Sequence, residues 1–232
     1  MWVLLRELLA LEGTYARRLF TPGTGRHPHV AYRALTGYVF DLQKLSNTLG
    51  QSSTFSTRII LVRHGRAGTK VGWSGDDQLR PLDRSGRQQA ERLVEFLVST
   101  GLGCILSSPY LRCEQTVEPI ATKLGLRIES SFDLVPDAGS RAFRMVRELS
   151  AIASPTIPLL CTHGEVMGTV LAQLAFADGI ELCHKPPGSK GCIWILDFLG
   201  GKLSSARYIA PVQVRPGGAS SRGQGSRSPR RP

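Results

Sequence analysis

Ile59-Ile60-Leu61-Val62-Arg63-His64-Gly65 decides the fold. Four consecutive aliphatic residues closed by a polar turn and a glycine read as a strand buried on both faces, which is how the central strands of parallel sheets are composed. A second stretch, Leu159-Leu160-Cys161-Thr162-His163-Gly164, repeats the form. Open α/β sheets gather their ligands at the carboxyl ends of such strands, so the two histidines are expected to face each other across one pocket.

Between them, Cys104-Ile105-Leu106 leads into Ser107-Ser108-Pro109-Tyr110-Leu111-Arg112-Cys113-Glu114-Gln115-Thr116. Pro109 suits the first turn of a helix, and the free amides of a helix start attract anions. The alternation extends along the chain. Strands are expected over 58–63, 103–107, 126–130 and 157–161, helices over about 84–100, 109–124, 140–153 and 165–177, and further strands near 191–197 and 203–209. Strand and helix in turn specify an α/β class, a three-layer α/β/α sandwich around a mostly parallel sheet.

The chain has 232 residues, enough for one sizeable core with tails. No apolar run reaches the roughly 20 residues of a membrane span. Arg6 and Glu7 interrupt the apolar start Met1–Leu9, which argues against a signal peptide, and a cytoplasmic location is expected. Cys104, Cys113, Cys161, Cys183 and Cys192 contain no Cys-x-x-Cys pair and are expected to be reduced thiols without a zinc site.

The net charge of +11 is unevenly placed: residues 57–215 hold +4, residues 1–56 +3 and the segment from Pro216 +4. That distribution gives little reason to expect a nucleic-acid partner, and the last segment, rich in Gly, Ser, Pro and Arg, is expected to be a disordered basic tail. Residues 1–56 begin with an amphipathic helical pattern and carry no chemical motif.

The Arg63-His64-Gly65 motif, the Ser-Ser-Pro-x-x-Arg-x-x-Gln-Thr motif ending at Thr116, the late Thr162-His163-Gly164, and Leu82-x-x-x-Gly86-x-x-Gln89-Ala90 together resemble the histidine phosphatase superfamily. The resemblance runs roughly from Thr57 to Val214 and implies a phosphoglycerate-mutase-like fold. Gly75-Asp76-Asp77 and Arg80-Pro81-Leu82-Asp83 look most like the small SixA-like branch. They are closer still to the phosphatase domain that follows a Nudix domain in mycobacterial MutT-type hydrolases, although residues 1–56 carry no Nudix box.

Phosphoryl transfer needs a nucleophile, positive charge around the equatorial oxygens and a proton source for the leaving oxygen. The resemblance makes His64 the nucleophile that becomes phosphorylated, Arg63 and Arg112 the phosphate clamp, and His163 a second partner of the phosphoryl group. A neutral imidazole can attack phosphorus, and a guanidinium fork suits two oxygens. Asp137 is the first candidate for the proton donor, with Asp133 and Glu165 behind it and no donor at all as a further option. Gly65, Lys70, Arg80, Ser108 and Gly164 are candidate substrate contacts. Trp73 and Asp76-Asp77 are weighed as contacts to a base or ribose and as plain loop residues. Gly188-Ser189-Lys190-Gly191 resembles a phosphate-binding turn but lacks the spacing of a Walker loop, and is read first as joining an element to the strand that contains Trp194.

The expected activity is metal-independent, cofactor-free hydrolysis of a phosphoric monoester or phosphoanhydride. The phosphorylated small molecule, nucleotide or phosphoprotein that serves as substrate is left open, as is the oligomeric state. Two rivals stand beside it: a phosphoglycerate-type mutase, disfavoured by the short interval from Arg112 to His163, and a non-catalytic phosphate-binding module.

Overall fold

In the computed structural model, residues 55–211 are described. The expectations for residues 1–54 and for the tail from 216 onward fall outside them. The elements in chain order are β1 (Ser56–Arg63), α1 (Arg84–Leu97), β2 (Leu102–Ser107), α2 (Leu111–Leu124), β3 (Ile128–Ser130), α3 (Gly139–Ser150), β4 (Ile157–Thr162), α4 (Gly164–Asp178), β5 (Ile193–Leu199) and β6 (Lys202–Ile209). Short 3-10 turns at Asp77–Leu79 and Phe132–Leu134 add to these.

One six-stranded sheet runs β3-β2-β4-β1-β5-β6. β3, β2, β4 and β1 are parallel, whereas β5 and β6 run antiparallel at the other edge. β1 alternates its side chains between two cores, which is why it reads as an unbroken apolar run. Ile59 and Leu61 pack on the face covered by α3 and α4, with Met145, Val146, Val170 and Leu171. Ile60 and Val62 pack on the opposite face, with Leu93 and Leu97 of α1 and Val117 and Ile120 of α2. All four β1 residues are fully buried, and each contributes about 1.5–3 kcal/mol by leaving water.

Register then places the histidines. β1 and β4 pair directly, with Arg63 opposite Thr162, so both strands end at the same level of the sheet. The first backbone amide past β1, that of His64, donates to the Thr162 carbonyl at 3.0 Å and extends the pairing by one step.

Three helix boundaries differ from the sequence expectation by two or three residues. α2 starts at Leu111, because Tyr110 has extended backbone angles as its N-cap, so Pro109 lies before the helix and not in its first turn. A proline also biases the residue before it away from helix, which keeps Ser108 on the strand side of the turn. α1 stops at Leu97 and α3 at Ser150, each about three residues early.

Candidate active site

The strand ends bring His64 and His163 to a ring-centroid separation of 5.2 Å in an edge-to-face arrangement. Both are buried, at 6 % and 1 % exposure. Nδ1 of His64 lies 2.8 Å from the Gly65 carbonyl oxygen. A carbonyl can only accept, so Nδ1 carries the proton and Nε2 keeps its lone pair. Burial, reinforced by the charges of Arg112, Arg63 and Lys190, pushes the His64 pKa down to about 3. A neutral imidazole with a free Nε2 is the form that attacks phosphorus.

His163 has its Nε2 3.0 Å from the Ser108 hydroxyl and 3.6 Å from the Cys113 sulfur, and its Nδ1 3.5 Å from a terminal nitrogen of Arg112. Guanidinium nitrogens only donate, so the proton sits on Nε2 and is directed to Ser108. Burial first, then His64 and Arg112, lowers the His163 pKa to about 2. The Tyr110 ring stands edge-on to it at 4.8 Å.

Two arginines complete the group. Arg63 donates from one terminal nitrogen to the Gly188 carbonyl. Arg112 is 3 % exposed, lies over the Tyr110 ring at 4.6 Å, and commits both terminal nitrogens to Asp77: one to its carbonyl oxygen at 2.6 Å and one to Oδ2 at 3.0 Å. Three buried side-chain polar atoms among the described residues lack a hydrogen-bond partner, and two of them are Nε of Arg63 and Nε of Arg112. Leaving a buried charged donor unpaired costs about 1–3 kcal/mol or more, so these two N–H groups call for an acceptor.

The framework around them is local. The Gly65 amide donates to Thr116 Oγ1 at 2.9 Å, and that hydroxyl donates to the Arg112 carbonyl at 2.6 Å, tying the loop after β1 to the first turns of α2. The Gly191 amide reaches the carbonyls of Arg63 and His64 at 3.1 and 3.0 Å. Gly188 and Gly191 take φ values of 83° and 81°, open to glycine and strained for other residues, so the 188–191 turn is a wall built from backbone. Lys190 on it has its pKa lowered by burial and by Arg63, Arg80 and Arg66, which marks this side of the site as strongly positive.

The other candidates are placed as follows. Ser108 is fully buried against His163, and Gly164 leaves room for the Arg63 guanidinium. Arg80 is 8 % exposed, with Nε on Asp77 Oδ1 at 2.8 Å and a terminal nitrogen on the Ala67 carbonyl at 2.6 Å, so it braces the loop from within instead of facing outward. Lys70 is exposed, and its side chain makes no hydrogen bond or ion pair among the described residues. Asp137 is exposed on the loop before α3, where its charge acts on Tyr110. Asp133 pairs with Arg141 at 3.1 Å, and Glu165 is exposed at the start of α4. Asp77, weighed in the sequence only as a loop or ribose contact, is the carboxylate in contact with Arg112. Its one local sign is the i,i+3 spacing to Arg80.

Among the described residues no group of three His, Cys, Asp or Glu is arranged to hold a metal ion, and no helix is long and apolar enough to cross a membrane.

Residues 59–136 match the histidine phosphatase superfamily (branch 1). A curated 8-oxo-(d)GTP phosphatase of Mycolicibacterium smegmatis is 33% identical over 156 residues, which cover 66% of this chain and 48% of that protein. The chain thus spans about half the length of this relative. Among solved structures, the protein histidine phosphatase SixA complexed with tungstate superposes with a TM-score of 0.55 at 22% identity, covering 67% of this chain and 97% of that one. A phosphohistidine phosphatase SixA from Agrobacterium tumefaciens gives 0.53 at 22% identity, covering 68% and 100%. These likenesses describe the same fold, a mostly parallel phosphoglycerate-mutase-like sandwich.

Proposed function

Because residues 59–136 match the histidine phosphatase superfamily (branch 1), we propose that this chain is a phosphohydrolase whose reaction passes through a phosphohistidine on His64. The observation that carries this reading is the pair of unpartnered Nε–H groups of Arg63 and Arg112 beside two neutral imidazoles. Donors fixed in a dry site are worth most where negative charge gathers, as on the equatorial oxygens of a phosphoryl group.

In this account Nε2 of His64 attacks phosphorus in line and the P–O bond to the leaving group breaks. Water then attacks the phosphohistidine, releasing orthophosphate and restoring the imidazole. A phosphoryl dianion reverses the electrostatic setting of His163. Burial first, then His64 and Arg112, keeps that ring unprotonated, whereas bound negative charge favours protonation of Nδ1, which then donates to a phosphoryl oxygen while Nε2–H stays on Ser108.

The arginines supply the charge that Mg²⁺ supplies in many phosphoryl-transfer enzymes, so turnover is metal-independent. Asp137 is the proton donor for poor leaving groups, from the loop beside Tyr110. Phosphoanhydrides, whose leaving groups are already acidic, depend on it little. Nucleoside phosphates are the first class to screen, given that the Mycolicibacterium relative is an 8-oxo-(d)GTP phosphatase. A cytoplasmic setting accords with five unpaired cysteines.

The test is p-nitrophenyl phosphate hydrolysis in excess EDTA by the wild type and His64→Ala. The wild type turns over and the folded variant does not. Equal turnover by the variant, or loss of wild-type activity in EDTA, rejects the reading.

A further inference from the structure

Asp77 lies 35 residues from Arg112 in sequence yet holds that side chain through two independent acceptors, its backbone carbonyl and its Oδ2. Both terminal nitrogens of the guanidinium are thereby engaged from one end, and the edge carrying Nε is left over. We infer that Asp77 is the positioning residue of Arg112, fixing the rotation of its guanidinium so that Nε–H is presented to the phosphoryl oxygens. The inference rests on the phosphohydrolase reading above and adds a residue to it.

Three features show that Asp77 is itself built in place. Asp76 caps the 3-10 turn by accepting from the Gln78 amide at 2.9 Å, and the Leu79 amide donates to the Asp76 carbonyl at 2.9 Å. Trp73 Nε1 donates to that same carbonyl at 2.9 Å and braces the loop from outside. Arg80 grips the second carboxylate oxygen, Oδ1, and is anchored in turn on the Ala67 carbonyl just past the Arg63-His64-Gly65 turn. The Arg80–Asp77–Arg112 chain therefore connects the loop after β1 to the first turn of α2. Partial burial pushes the Asp77 carboxyl up, but Arg80 and Arg112 outweigh it and hold it ionised below the usual carboxylate range.

An aspartate beside a phosphate clamp lowers the local positive charge, so its benefit has to come from geometry. A guanidinium free to rotate loses orientation it must regain in each turnover, and an error of about 1 Å at a catalytic group can cost about 100-fold in rate.

The experiment is a double-mutant cycle with Asp77→Ala, Arg112→Ala and the double variant, with Asp77→Asn as an isosteric check on folding by thermal melting. Asp77→Ala is expected to lower kcat for p-nitrophenyl phosphate about 10- to 100-fold with KM within about 3-fold. In the Arg112→Ala background the same change should alter kcat less than about 2-fold, since nothing remains to position. An unchanged or raised kcat in Asp77→Ala, or an equal loss in both backgrounds, overturns the inference. Orthovanadate titration by calorimetry reads the same cycle without turnover: affinity falls with Asp77→Ala only when Arg112 is present. If the wild type binds vanadate but hydrolyses nothing, the phosphohydrolase reading fails while the positioning role is still decided.

Discussion

Gly164 and the Arg63 guanidinium occupy one space: a β-carbon added at Gly164 would sit 2.6 Å from Cζ of Arg63 and 2.7 Å from a terminal nitrogen. Gly164 opens α4 with its φ outside the left-handed region, so alanine suits its backbone and favours the helix by about 0.5–1 kcal/mol. Gly164→Ala should keep the melting temperature within a few degrees while lowering kcat/KM about 100-fold, because Arg63 has to move off its Gly188 contact. Paired melting and kinetic measurements check this, and a variant with wild-type kcat/KM would show that Arg63 needs no fixed place.

Ser108→Ala removes the acceptor of the His163 Nε2 proton. The buried N–H is left with only the Cys113 sulfur, a weak acceptor at 3.6 Å, which should cost about 1–3 kcal/mol of stability in urea unfolding. The kcat should drop about 10-fold as the ring loses its orientation. A stability loss without any change in kcat would make Ser108 a packing residue alone.

Both site imidazoles are held neutral in the fold, with pKa values of about 3 for His64 and about 2 for His163. In the unfolded chain each titrates near 6.5, so between pH 6.5 and about 3 the unfolded state binds more protons and stability falls with falling pH. The slope is about 1.4 kcal/mol per pH unit for each histidine. Urea unfolding at pH 7 and pH 5 should show a marked loss in the wild type and a smaller one in His64→Gln. An identical loss in both would mean that His64 does not contribute to the acid sensitivity.

Asp137→Asn should separate substrates by leaving group. With alkyl phosphates the loss in kcat is expected at about 100-fold, the ordinary scale of general acid catalysis. With p-nitrophenyl phosphate it should be less than about 3-fold, because nitrophenolate departs without a proton. Equal losses on both substrates would remove Asp137 from the proton-donor role.

What could be read in advance divides along physical lines. Ile59–Val62 and Leu159–Cys161 are buried on both faces of the sheet, and that burial writes itself into composition, so the strands and their histidines were visible. The start of α2 was misplaced because Pro109 is compatible with both a first turn and the residue before an N-cap, and the extended angles of Tyr110 chose the latter. The role of Asp77 was hidden because its partners, Arg112 and the Ala67-anchored Arg80, meet it only once the loop has folded over α2. Arg80 in turn reads as a loop cation, although the structure turns it inward. Gly188–Gly191 reads as a phosphate-like turn or as the connection into the strand holding Trp194, and neither reading announces that the Gly188 carbonyl and the Gly191 amide contact Arg63 and His64.

The most direct measurement of the central claim is rapid quenching of the enzyme with radiolabelled p-nitrophenyl phosphate, followed by peptide mapping. The account predicts a label on His64 that resists alkali and is lost in acid, and that is absent from His64→Ala. Turnover without any labelled wild-type protein, or an undiminished label in His64→Ala, would contradict it.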